Sequence, residues 1–313
     1  MIYIKINIIN INHMSLCAPN IDYESHFTCF TKNELISIIK AFNNYIINKN
    51  LCKDNTCIKR LSLITIPPND IENDKIKKLL WVKIYNRLKP ICKYEDCWIN
   101  LDFINKIEDS QLRKKLKYFT FKPKFYANRD KWLNTTDIEA VMKQYEKKYP
   151  DFYFIGAKPC DFYKYTKLKY EKWFSYKKVG IVFNLDKTGE PGSHWTSLFV
   201  DNDPECIRQG QHKMYYFDST GNPPNKQIHD FILLIARVQI KNNPAIKNER
   251  ERTIEVYVNT TTHQKGNSEC GVYSIYFLIK KLKTPINQPI NNIHISDKDM
   301  KMFRKYIFNI ENS

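Results

Sequence analysis

Gly192-Ser193-His194-Trp195-Thr196-Ser197-Leu198-Phe199-Val200-Asp201 reads as a glycine turn opening into a strand. Met214-Tyr215-Tyr216-Phe217-Asp218-Ser219-Thr220-Gly221 reads as a second strand that closes on another glycine turn. Hairpin pairing of the two puts the His194 imidazole and the Asp218 carboxylate side by side at one rim of the sheet. A carboxylate bonded to one ring nitrogen fixes the tautomer and stabilises the imidazolium. Working outward, strand-like runs lie at Tyr153–Gly156, Val179–Asp186 and Thr253–Asn259, separated by Gly, Pro and charged turn residues. Helical periodicity is expected from near Thr136, where Glu139 completes a capping-box spacing, over Lys226–Lys241, over Cys270 to about Lys283, and after Ser296. Strands cluster and helices surround them, so this half is α+β.

The first half has another texture. All eight glycines lie between Gly156 and Gly271. Before them, Thr31 and Glu34 have capping-box spacing, and Leu35, Ile38, Ile39, Phe42 and Ile46 then recur at helical intervals. A second helix is expected over Asn73–Lys89, with Ile76, Leu80, Ile84 and Leu88 on one side and Pro90 stopping it. Residues 1–120 therefore read as a mostly helical accessory arm and 121–313 as a catalytic-looking domain.

The chain has 313 residues, 42% of them hydrophobic and 14% aromatic, which excludes a disordered composition. A net charge of +17 admits a polyanionic partner, including non-specific nucleic-acid binding. No block forms a basic tail, however, and Arg113-Lys114-Lys115-Leu116-Lys117 reads first as a solvated helix face. Met1 to Ile11 is interrupted by Lys5, Asn7 and Asn10 and reads as a strand rather than a signal. The apolar run Phe231 to Ile240 contains Arg237 and is too short to cross a bilayer, so no membrane partner is expected. Nine cysteines without the short spacing of a disulfide scaffold suggest free thiols in a reducing compartment.

Cys270 directly precedes a helical pattern in which Val272, Ile275, Tyr276 and Ile279 share a face. The partial positive charge of a helix N-terminus and a neighbouring imidazolium both favour a thiolate, the form that attacks carbonyl carbon. Gln264, six residues earlier, is positioned to aim its amide where the Cys270 N–H points, and two converging donors make an oxyanion hole.

The order His194, Asp218, Gln264, Cys270-Gly271 resembles the ubiquitin-like-protein (SUMO/sentrin-type) proteases and the adenovirus endopeptidase. The resemblance runs from Trp132-Leu133-Asn134-Thr135-Thr136-Asp137-Ile138 through His194-Trp195 and Tyr216-Phe217-Asp218-Ser219 to Gln264–Gly271. Phe154 to Phe162 and Val182 to Trp195 bring it nearest to the polyprotein maturation proteases of nucleocytoplasmic large DNA viruses, the group with the African swine fever virus and poxvirus core proteases. It implies a papain-like, adenain-like core with a central mixed sheet flanked by helices. It further implies a cysteine endopeptidase with Cys270 as nucleophile, His194 as base, Asp218 as its orienter and Gln264 as oxyanion donor. Trp132 and Trp195 would wall a channel that admits only Gly-Gly before the scissile bond. The implied task is processing of viral structural polyproteins during virion maturation, in the virion and the host-cell cytoplasm (viral factory). Cellular relatives commonly carry Asp where this chain has Glu269. The 24-residue interval from His194 to Asp218 suggests a surface loop over Asp203–Gln211.

Other readings stand beside it. One is a deSUMOylase or deubiquitinase acting on host conjugates; the others are an acyltransferase with a protease-like triad and a nucleic-acid-bound scaffold. Cys52, Cys57, Cys92 and Cys97 form two Cys-x4-Cys pairs that could supply four thiolates to zinc. Their spacing is looser than the usual two-residue gap, so packed free cysteines are expected and no cofactor or metal is assigned. His263 adjoins Gln264 but lacks a partner acid, which ranks it below His194 as the base.

Overall fold

The structure is a computed structural model and describes residues 16–21, 27–48, 63–67, 73–126, 132–203, 213–242, 254–284 and 294–311. The expected strand over Met1–Ile11, the cysteines Cys52 and Cys57, and most of the expected loop over Asp203–Gln211 lie outside the described residues. The chain divides into two compact units, Met1–Lys122 and Pro123–Ser313.

In the first unit, α1 (Lys32–Asn48) starts where the sequence places it. Thr31 N donates to the Glu34 carboxylate, and Glu34 N to Thr31 Oγ1. The apolar stripe of α1 packs on that of α2 (Asn73–Leu88). Trp98 of the short α3 (Glu95–Trp98), Phe103 and Leu116 of α4 (Ser110–Phe119) complete the core. The basic run lies on α4: Leu116 is buried, Lys114 and Lys117 are exposed, and Lys115 pairs with Glu34 at 2.6 Å.

The expectation of free, packed cysteines is corrected here. Cys17 is joined to Cys29 and Cys92 to Cys97 as disulfides. Cys92 and Cys97 are therefore neither free thiols nor zinc thiolates, because each sulfur is bonded to the other. Glu95 lies between the latter pair and accepts from Cys29 N at 3.1 Å, and from Thr28 Oγ1 and Trp81 Nε1.

The second unit runs β1 (Lys124–Tyr126), α5 (Thr135–Lys148), β2 (Phe152–Pro159), α6 (Tyr170–Phe174), β3 (Lys178–Asn184), β4 (Trp195–Asp201), β5 (Lys213–Phe217), α7 (Lys226–Asn242), β6 (Glu255–Val258), α8 (Cys270–Lys283), α9 (Asp297–Ile307) and β7 (Asn309–Glu311). Strands β2-β3-β4-β5-β6 form one mixed sheet in that order. The β2/β3 and β5/β6 pairs are parallel, and β3/β4 and β4/β5 antiparallel. The short β1 and β7 make a separate parallel pair. Alternation along the strands assigns the two faces. Phe199, Tyr215 and Phe217 join Ile138 and Met142 of α5 and Val272, Phe277 and Leu278 of α8 in one core. Leu198, Val200, Met214 and Tyr216 pack the other way, with Trp173 of α6 and Ile228, Phe231 and Ile235 of α7. This is the expected α+β architecture. No helix among the described residues is long and apolar enough to cross a membrane.

One helix start differs from expectation. The capping box of α5 is made by Asn134 and Asp137, two residues before the Thr136–Glu139 pair. Asn134 Oδ1 accepts from Asp137 N at 2.9 Å and Asp137 Oδ2 from Asn134 N at 2.9 Å, while Glu139 faces Lys143 and Lys158 instead.

Candidate active site

The hairpin register decides where the polar residues meet. In the β4/β5 pair Ser197 lies opposite Phe217, so the residue just before β4 and the residue just after β5 reach the same rim. Those residues are His194 and Asp218. His194 Nε2 lies 2.7 Å from Asp218 Oδ1, which leaves Nδ1 as the ring nitrogen for another partner. The Cys270 side chain lies close enough to the imidazole to raise its pKa.

Local structure holds each member of this group. Asp218 Oδ1 accepts from Thr220 N at 2.9 Å and Thr220 Oγ1 at 2.8 Å, and Asn259 Nδ2 donates to the Asp218 carbonyl at 2.7 Å. The turn into His194 is tied by Asn184 and Asp186: Ser193 N donates to Asn184 Oδ1, and Gly192 N to Asp186 Oδ2 at 2.9 Å. Cys270 opens α8, where a backbone N–H has no acceptor within the helix. Its side chain is buried, and free of any disulfide.

Electrostatics favour an ion pair. Burial pulls the His194 imidazole toward its neutral form, but the hydrogen bond to Asp218 and the interaction with Asp218 and Cys270 outweigh it, and its pKa is pushed up to about 9. Burial likewise resists ionisation of Asp218, yet the hydrogen bonds from His194 and Thr220 hold its pKa below the ordinary value. At neutral pH the pair is therefore imidazolium and carboxylate.

Gln264 is buried in the turn before α8. Its Oε1 accepts from Ser219 Oγ at 2.7 Å, and its Nε2 donates one hydrogen to Gly266 O at 2.7 Å, leaving the other unassigned. Trp195 is buried, with Nε1 donating to Leu133 O at 2.8 Å. A Cβ on Gly271 would stand 3.3 Å from the Trp195 ring and 3.1 Å from Leu133, so the first turn of α8 sits close against both. Trp132, next to Leu133, is 39% exposed. His263 does not join the group: its Nδ1 accepts from Ile295 N at 3.1 Å, its ring stacks on Phe217, and burial with nearby His294 lowers its pKa. Among the described residues no group of three or more His, Cys, Asp or Glu is placed to hold a metal ion.

Several residues that shape the site were not singled out in the sequence. Thr220 had a readable signal, since an Asp followed two positions later by a hydroxyl residue favours an Asx-type turn. Arg304 had none. It lies 34 positions beyond Cys270 and pairs with buried Glu269 at 2.7 Å.

Comparison with known proteins agrees with this geometry. The Ulp1 protease family, C-terminal catalytic domain, matches residues 124–312. The chain is 30% identical over 289 residues to a protein of Acanthamoeba polyphaga mimivirus named a thiol protease, covering 90% of this chain and 87% of that one. A protein of African swine fever virus, named a cysteine protease, is 24% identical over 258 residues, 75% of this chain and 90% of the relative. Its counterpart in another isolate is 23% identical and named a SUMO-1 cysteine protease. The crystal structure of the African swine fever virus protease superposes with a TM-score of 0.58 at 21% identity, over 96% of this chain and 97% of that one, and so shares the fold. A rim that pairs an imidazole with a carboxylate beside a helix-opening cysteine, on a domain this family matches throughout, makes the chain a member of the Ulp1 protease family and a cysteine-type peptidase.

Proposed function

We propose that the chain is an endopeptidase that cleaves after Gly-Gly(-Xaa) sites, processing viral structural polyproteins during virion maturation. The observation that carries this reading is His194, bonded through Nε2 to Asp218 Oδ1 at 2.7 Å and close enough to Cys270 for the thiol to raise the imidazole pKa. The Cys270 thiolate attacks the scissile carbonyl carbon, and the carbonyl electron pair moves onto oxygen. The Cys270 N–H and the remaining Gln264 amide hydrogen receive that charge. The His194 imidazolium then protonates the leaving amine as the C–N bond breaks. Water, deprotonated by the same imidazole, hydrolyses the thioester and returns the thiol.

Specificity rests on Trp195 and Trp132. Trp195 is fixed against Gly271 and bonded to Leu133, and Trp132, the chain neighbour of Leu133, is exposed. A channel between two indoles takes backbone without side chains. That the relatives are viral proteins supports a structural precursor as substrate, met in the virion and the cytoplasmic viral factory. The name SUMO-1 cysteine protease given to one relative favours a second reading, an isopeptidase acting on host ubiquitin-like conjugates.

One panel separates them: wild-type and Cys270→Ala protein incubated with Gly-Gly-Xaa peptides and with modifier conjugates. The proposal expects turnover of the peptides by wild type and none by Cys270→Ala, with unchanged circular dichroism. Turnover by Cys270→Ala overturns the nucleophile, and turnover of conjugates alone favours the isopeptidase. The charge of +17 also supports sequence-independent nucleic-acid binding alongside catalysis, which should fall steeply as salt rises.

A further inference from the structure

The segment from Gln264 to Cys270 is fixed at both ends by one helix, α9, that contributes no residue to the group around His194. At the near end, Asp297 Oδ2 accepts from Gly266 N at 2.8 Å and from Lys265 N at 3.1 Å. Gly266 in turn presents its carbonyl to Gln264 Nε2. Asp297 Oδ1 lies 3.1 Å from the Tyr273 hydroxyl on α8. Asp297 does not cap its own helix, because Ser296 and Asp299 form that box. At the far end, Arg304 Nη2 donates to Glu269 Oε2 at 2.7 Å and to Ser268 O at 3.1 Å, and Nε donates to the same carboxylate oxygen at 3.2 Å. The guanidinium also stands 4.9 Å from the Phe125 ring centroid. Both Glu269 and Arg304 are buried, and Glu269 immediately precedes Cys270.

Oxyanion donors act only when held within a fraction of an ångström of the developing charge. Here the two donors, the Gln264 amide and the Cys270 N–H, sit at opposite ends of a loop whose own hydrogen bonds are few. We propose that α9 is the brace that sets their separation, with Asp297 and Arg304 as positioning residues for the oxyanion site. The inference rests on Cys270 being the nucleophile. Ser219 anchors Gln264 itself, its carbonyl accepting from Gln264 N at 2.9 Å and its hydroxyl donating to Gln264 Oε1 at 2.7 Å. Asp297 fixes Gly266, whose carbonyl takes the Gln264 amide, and Arg304 holds the Cys270 end through Ser268 and Glu269. The His194–Asp218 pair stands on β4 and β5 and does not depend on either.

The test uses the full chain and a Gly-Gly-Xaa fluorogenic peptide. Asp297→Ala should lower kcat about tenfold to a hundredfold with KM within about twofold of wild type. Asp297→Asn, whose amide oxygen still accepts from both N–H groups, should recover most of the loss. The double variant Glu269→Gln/Arg304→Gln removes both charges together and leaves no buried charge unpaired; it should show the same loss in kcat. Alkylation of Cys270 by iodoacetamide should keep its wild-type rate in Asp297→Ala, because thiol reactivity is set by His194 and the N-terminus of α8, both of which that variant leaves in place. Folded variants with wild-type kcat, a loss confined to KM, or a loss matched by slower alkylation each overturn the brace. Turnover by Cys270→Ala overturns the nucleophile instead, so the two failures are distinguishable.

Discussion

Asp218 Oδ1 is held by three donors, His194 Nε2, Thr220 N and Thr220 Oγ1, and cannot swing from the imidazole without breaking the turn behind it. The consequence is a titration. His194 is raised from an ordinary 6.5 to about 9, so its proton is kept below that pH and lost above it. Its contribution to stability is likewise complete below 6.5 and lost as pH rises through about 9, while that of Asp218 is present above its ordinary 3.8 and lost on acidification. The alkaline limb of kcat/KM should therefore fall near pH 9. In Asp218→Asn it should move to lower pH, with turnover down about a hundredfold; a limb that stays in place would contradict the assignment. Gly192 supplies a second test. Its φ of +96° is left-handed, and a Cβ there would stand 2.7 Å from Asn184 Nδ2, the side chain that holds Ser193. Gly192→Ala should lower unfolding free energy by about 1–2 kcal/mol in urea titration and reduce kcat by displacing His194. At this scale the sequence singles out His194, Asp218, Gln264 and Cys270 because each stands at a strand end, turn or helix start, and folding brings His194 and Asp218 to 2.7 Å. Thr220, Asp297 and Arg304 were not singled out, and only folding shows what they hold.

Among the elements, the start of α5 shows how far local pattern reaches. The sequence contains two overlapping boxes, Asn134 with Asp137 and Thr136 with Glu139, and periodicity alone does not choose between them. The chain uses the first, and Trp195 bonds the Leu133 carbonyl immediately before it. Asn134→Ala should lower stability by about 1 kcal/mol, whereas Glu139→Ala should leave chemical denaturation nearly unchanged, since its partners Lys143 and Lys158 are partly exposed. The longer helices and the core strands came through from sequence because burial imposes a period on them: α1, α2, α7 and α8 by 3.6, β3 to β5 by near-continuous apolar runs. Strands β1 and β7 did not, as three residues are too few to show a period and each exists only through pairing with the other.

For the whole molecule, the disulfides mark the limit of sequence reading. Cys17 and Cys29 are 12 residues apart and Cys92 and Cys97 five, and neither interval belongs to a recognisable framework. Folding of the first unit brings their Cα atoms to 5.4 and 5.7 Å. Reduction should weaken the Met1–Lys122 unit by on the order of 2–4 kcal/mol. Hydrogen exchange should accordingly quicken in α1 and α2 while protection in α8 is kept; equal loss in both units would refute this. By itself the sequence determined the helical first half, the α+β second half and which residues are candidates for the site, because alternation, helical spacing and capping are local consequences of burial and hydrogen bonding. Only the tertiary structure decided which cysteines pair, which box starts α5, and that α9 grips both ends of the loop leading to Cys270. Those outcomes are chosen by packing against residues far apart in the chain, as Trp195 fixes Leu133 ahead of α5 and Arg304 holds Glu269, even where the pair itself is close in sequence.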